Sequence, residues 1–83
     1  MLVEIIMPRL GDASSAAWVA EWKKSVGDPV EMGEVICVVA IDKAEFDFES
    51  PYDGMLAEIL VQGNAIVAPG IPIGRIDVVK EVR

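Results

Sequence analysis

Histidine is absent from this 83-residue chain, cysteine occurs once, and aromatic side chains make up only 6 % of it. Without histidine, Cys37 lacks the usual activating partner of a nucleophilic thiol, and its place in an apolar run reads as a small core residue. A single cysteine excludes an intrachain disulfide and fits a reducing compartment. No paired base and nucleophile, no metal-ligand cluster and no phosphate-binding loop occurs, so a free-standing enzyme is not expected. Basic residues are scarce as well, 7 Lys and Arg against 14 Asp and Glu, for a formal charge of −7. That balance argues against nucleic acid as a partner, and against an anionic membrane surface bound through a polybasic stretch. It favours solubility and can steer a basic partner. No run is long enough to span a bilayer, and Met1 to Met7 has neither the basic n-region nor the apolar length of a signal peptide. The expectation is a soluble intracellular domain, or a piece cut from one.

Apolar residues make up 53 % of the chain, mostly Val, Ile, Leu, Met and Ala, which suit half-buried pleated surfaces. Strand-like runs are broken by turn signals every eight to twelve residues, the pattern of a small sandwich or barrel. Val3 to Met7 is a first strand closed by Pro8; Gly11 to Ser15 is a loop. Gly27-Asp28-Pro29 and Met32-Gly33-Glu34 are turns around Val30, Met55 to Val61 is a strand, Gly63-Asn64 a tight turn, and Ile71 to Val78 the last strand. The segment from Ala16 to Lys24 is ambiguous. Its residues favour a helix, with Ser14 or Ser15 as a cap and Trp18 and Trp22 four apart. Read as a strand, Trp18, Ala20 and Trp22 would share a face; periodicity does not decide between the two, though tertiary pairing can override propensity over so few residues.

A shift of 37 residues sets Trp22 on Ile59, Val30 on Val67, Gly33 on Gly70, Ile36 on Ile73 and Val39 on Ile76. This weak repeat predicts an all-β flattened barrel or sandwich of two quasi-twofold-related, four-stranded sheets.

Between its halves lies the most informative feature. Val35 to Ile41 leads into Asp42-Lys43, and Ala44 to Glu49 leads out with Phe46 and Phe48 alternating with Glu45, Asp47 and Glu49. The pattern predicts a β-hairpin that raises one primary amine clear of the surface. On position alone Lys43 is an ordinary solvated lysine, and Asp42 a turn former bonding its own backbone.

The stretch Ile41-Asp42-Lys43-Ala44 through Ser50-Pro51-Tyr52-Asp53-Gly54 resembles the lipoylation region of lipoyl domains, carried by the acyltransferase (E2, dihydrolipoamide acyltransferase) components of 2-oxoacid dehydrogenase complexes. Met7-Pro8-Arg9-Leu10-Gly11, Trp22 to Glu34 with its Gly27-Asp28 and Gly33-Glu34 pairs, and Val67 to Ile73 with Gly70 and Pro72 are similar to three further segments of that family. The resemblance implies a strand ending near Trp22 in the ambiguous Ala16–Lys24 segment, and a lipoyl domain over residues 1–79, with 80–83 as the possible start of a linker. It implies no catalysis by the domain itself. Lipoate would be joined to Lys43 as an amide by a lipoate ligase or lipoyl transferase, with Asp42 and Ala44 as the recognition turn. The swinging arm would carry acyl groups and electrons between an E1 2-oxoacid dehydrogenase, the E2 catalytic core and an E3 dihydrolipoamide dehydrogenase. A monomeric domain in the bacterial cytoplasm, or in the mitochondrial matrix of a eukaryote, is what the family leads one to expect.

Biotin carrier domains share the fold but usually set their lysine between two methionines, whereas Asp42 and Ala44 flank Lys43 here. An unmodified interaction or assembly module is the other alternative. Its best support lies in departures from the family: Ala40-Ile41 where Glu-Thr is common, and Ala16-Ala17 in place of Glu-Gly. Gly63-Asn64-Ala65 replaces a Glu-Gly-Asp turn, a swap the fold should tolerate.

Overall fold

A computed structural model describes residues 1–10, 16–42 and 44–78 of the chain. Its strands are β1 (Leu2–Ile6), β2 (Ala17–Trp22), β3 (Pro29–Val30), β4 (Val35–Ile41), β5 (Ala44–Glu49), β6 (Gly54–Ile59) and β7 (Pro72–Val78). The segment around Trp18 and Trp22 is strand, paired with β4, so the ladder overrides its helical propensity. Two antiparallel sheets form, in the orders β1-β7-β6-β3 and β2-β4-β5. The fold class is the expected all-β barrel-sandwich, but the second sheet has three strands rather than four. Its missing fourth strand is reduced to one bridge, Trp18 to Ile66.

Buried residues recur on the inner faces of the strands, with adjacent buried pairs such as Ile36 and Cys37 in β4, whose ladder with β5 shifts register between Val35 and Cys37. Ile5, Val19, Ile36, Cys37, Val39, Leu56, Ile73 and Ile76 are all at most 1 % exposed and form one core. Each large aliphatic side chain so buried contributes about 1.5–3 kcal/mol relative to an exposed one. Trp22 closes the core beside Val61, donating its Nε1–H to the Val61 carbonyl at 2.8 Å. This satisfies the indole's polar atom where the sandwich closes.

The repeat is physical down to single hydrogen bonds. Lys23 N–H donates to Ile36 O at 2.8 Å, and its equivalent Leu60 N–H donates to Ile73 O at 2.9 Å. Gly33 N–H donates to Ser50 O, as Gly70 N–H does to Met7 O. The ladder β2–β4 slips at Ala20, and the ladder β6–β7 slips at the equivalent Ala57. Even the isolated bridge Trp18–Ile66 is the counterpart of Met55–Pro29. Asn64 has φ 64° where its counterpart Gly27 has 99°, so the replaced turn keeps a left-handed residue that asparagine tolerates.

The arrangement sets the β4–β5 hairpin apart from the N-terminus. Ala17 pairs with Ile41 at the tip end of its sheet and accepts a hydrogen bond from Val67 N–H. Val67 leads to Gly70, which bonds Met7, beyond the end of β1 remote from Met1. Met1 itself lies beside Asp77 and Val78.

Candidate functional site: the β4–β5 hairpin tip

The hairpin ladder runs Cys37–Phe48, Val38–Asp47, Val39–Phe46, Ala40–Glu45 and Ile41–Ala44. Because Ile41 and Ala44 still pair, the connection between the strands is confined to residues 42 and 43. Asp42 is an exposed turn residue. Ala44 is half-buried as the first residue of β5, and Ile41 packs on the core. Lys43 lies outside the described residues. The ladder holds the strands on either side of this connection in register.

The far end of β5 is anchored by the Ser50-Pro51-Tyr52-Asp53-Gly54 stretch. Ser50 is 2 % exposed, yet its hydroxyl donates to Tyr52 O at 2.6 Å and accepts from Tyr52 N–H at 3.3 Å. Its backbone N–H donates to Glu34 O, and Asp53 Oδ1 accepts from Met32 N–H at 2.8 Å. Gly54 is required by space: a Cβ there would stand 2.2 Å from the Asp77 carbonyl oxygen. These motif residues therefore support the hairpin's base, while Asp42 and Ala44 stand at its tip.

Electrostatics separate the same two levels. Lys24 Nζ stands 2.7 Å from Glu34 Oε2 beside the Ser50 turn. Their hydrogen bond raises the lysine's pKa and lowers that of Glu34, which also accepts from Glu31 N–H. On the hairpin itself Glu45, Asp47 and Glu49 are exposed, as their alternation with Phe46 and Phe48 required. Cys37 is fully buried, and burial pushes its thiol up to about 12, the opposite of an activated nucleophile. No enclosed cavity or metal-binding cluster occurs among the described residues.

One feature beside the tip escaped the sequence reading. Ile66, Trp18, Ala40 and Glu45 are paired across the outer face of the three-stranded sheet, and Glu21, Val38 and Asp47 form the next row. The signal was available in the repeat, which sets Val38 on Arg75.

The family model for biotin and lipoyl attachment, described as "Biotin-requiring enzyme", matches residues 3–76. The chain belongs to this biotin/lipoyl family. It is 42 % identical over 73 residues to the dihydrolipoyllysine-residue acetyltransferase component of the acetoin cleaving system of Bacillus subtilis, covering 88 % of this chain and 18 % of that protein. It is 36 % identical over 77 residues to the succinyltransferase component of the 2-oxoglutarate dehydrogenase complex of Rickettsia felis, covering 93 % and 19 % respectively. The chain thus spans under a fifth of the length of these relatives. Among solved structures, the lipoyl domain of the 2-oxoglutarate dehydrogenase complex of Azotobacter vinelandii matches with a TM-score of 0.75 and 27 % identity, covering 90 % of this chain and 95 % of that domain. Lipoyl domains of acyltransferase components are therefore among the members of the biotin/lipoyl family that this chain resembles.

Proposed function

We propose that this domain is a lipoyl carrier, with lipoate amide-linked to Lys43 and with Asp42 and Ala44 forming the turn its modifying enzyme reads. The observation that carries this reading is the ladder closing at Ile41–Ala44, which leaves Asp-Lys as the whole connection in a fold of the biotin/lipoyl family. The donor chemistry fits, because an amine at a two-residue tip needs no cavity to receive a covalently attached acid. A lipoate ligase or lipoyl transferase would form the amide: the amine nitrogen bonds the activated carboxyl carbon, loses a proton, and the activating group departs.

When attached, the group supplies a dithiolane that accepts acyl groups and electrons. The protein's part is presentation. The β4–β5 ladder holds the strands flanking the tip in register, the Ser50 turn fixes the hairpin's base, and the exposed carboxylates of β5 keep the approach wet. Tethering turns each encounter with an enzyme of the complex into an effectively intramolecular one. The partners would be an E1 2-oxoacid dehydrogenase, an E2 catalytic core and an E3 dihydrolipoamide dehydrogenase, in the bacterial cytoplasm or, in a eukaryote, the mitochondrial matrix. Residues 1–79 would form the domain, with 80–83 the start of a linker.

The test is intact mass after incubation with lipoate–protein ligase, lipoate and ATP. We expect one lipoyl adduct on the wild type and none on Lys43→Ala. A biotin ligase with biotin and ATP should give no adduct. An unmodified wild type beside a working control domain would favour an interaction module instead.

A further inference from the structure

The two sheets have equivalent outer faces, and the differences between them are informative. On the four-stranded sheet the rows are Pro29, Met55, Asp77, Leu2 and then Glu58, Arg75, Glu4. There Arg75 bridges Glu4 at 3.5 Å and Glu58 in a short contact, and the Met1 ammonium binds Asp77 at 2.9 Å. The carboxylates of that face are answered by cations, and hydrogen bonding to Glu58 raises the guanidinium's pKa further.

On the three-stranded sheet the equivalent rows are Ile66, Trp18, Ala40, Glu45 and Glu21, Val38, Asp47. Valine replaces arginine between the two flanking carboxylates. The only basic side chain paired with any of these carboxylates among the described residues is Lys23, 3.3 Å from Glu21. Ala40 is 2 % exposed and lies covered beneath its neighbours, while Trp18 and Val38 are half-buried and Ile66 is 72 % exposed at the edge. An apolar strip therefore runs across this face between carboxylates, a pattern that complements an apolar contact rimmed with arginine or lysine.

Position names the occupant. The Trp18–Ala40–Glu45 row is one residue from the Ile41–Ala44 pair that closes the ladder. Rows lie about 3.4 Å apart, so an enzyme bonding an atom to residue 43 approaches within two rows of the strip. The inner face of the same sheet is core and cannot be contacted. Enzymes acting at the end of a long attached arm have no such obligation.

We infer that the strip of Trp18, Val38 and Ile66 overlying Ala40, flanked by Glu21, Glu45 and Asp47, is the docking surface for the enzyme that modifies the tip, which meets it with a basic-rimmed apolar patch. This rests on the carrier reading and adds the surface and the chemistry of recognition to it. Val38 is the specificity position, because an arginine there would neutralise the face as Arg75 neutralises its counterpart.

The test uses the whole domain with lipoate–protein ligase, and reads kcat and KM for lipoylation at low salt and at about 0.5 M salt. Val38→Arg copies the surroundings of Arg75, so folding, checked by circular dichroism, should be retained. It should raise KM about tenfold or more with little change in kcat. The isosteric pair Glu45→Gln and Asp47→Asn should raise KM less and flatten the salt dependence. Arg75→Val, on the opposite face, should stay within about twofold of wild type. Amide shifts on adding the ligase without ATP should gather at residues 18, 38, 40, 45, 47 and 66. Wild-type KM in Val38→Arg, or shifts confined to the four-stranded face, would overturn the docking surface while leaving the carrier reading intact. No adduct on the wild type would overturn both.

Discussion

Residues 17–41 and 54–78 are two versions of one structural sentence, and they have diverged in what they show to solvent. Inside, the equivalences are close: Val30 and Val67, Ile36 and Ile73, and Val39 and Ile76 are all buried in the common core. At the surface, Lys24 and Glu34 form an ion pair where their counterparts are Val61 and Ile71, and Val38 replaces Arg75. Ala17 fills the place equivalent to Gly54. Packing has kept the two interiors alike, because a core at close-packed density resists change at any one position. Solvent imposes no such constraint, so the faces were free to acquire different tasks.

The sharpest way to break this equivalence is in the core. Ile36→Ala and Ile73→Ala should each cost about 3–4 kcal/mol in urea unfolding, and should agree within about 1 kcal/mol if the halves carry equal weight. A large inequality would show that one sheet dominates stability. Next comes the pair that differs. Gly54→Ala forces a methyl into the Asp77 carbonyl and should cost about 2–3 kcal/mol, whereas Ala17→Gly should cost only about 1–2 kcal/mol through a lost buried methyl and added chain entropy. Equal costs would mean that the close approach at Gly54 relaxes easily.

The smallest effect concerns the ion pair peculiar to the first half. The folded pKa of Glu34 is depressed below its ordinary 4.5, so its contribution is present above that value and lost as pH falls through the folded pKa. Glu34→Gln should flatten that acid limb slightly, with the pair exposed and the change small. A limb identical in the two proteins would assign acid sensitivity to other carboxylates.

Much of this was legible in the sequence because it depends on local patterning. The alternation in Phe46 and Phe48 gave the exit strand, the 37-residue shift gave the two halves, and Gly63-Asn64 gave a turn whose Asn64 does adopt the left-handed conformation. What stayed hidden depends on partners distant in sequence. The slips at Ala20 and Ala57 are properties of two strands together, so no single segment announces them. Among the described residues Ile66 pairs with Trp18 through one isolated bridge, so the second sheet shows three strands there. The outer-face strip was missed for the same reason. Trp18, Ala40 and Ile66 become neighbours only once register is known.

Sheet closure has a consequence for how the protein is made. β1 spans residues 2–6 and its ladder partner β7 spans 72–78, so the first strand to leave a ribosome waits for the last. Until then Leu2, Val3, Ile5 and Ile6 have no ladder, while β2, β4 and β5 can already assemble around the hairpin. Pairings this remote in sequence fold slowly, since loop closure must precede the contacts that reward it. The three-stranded sheet, with its β4–β5 hairpin, is therefore synthesised whole before the four-stranded sheet can close.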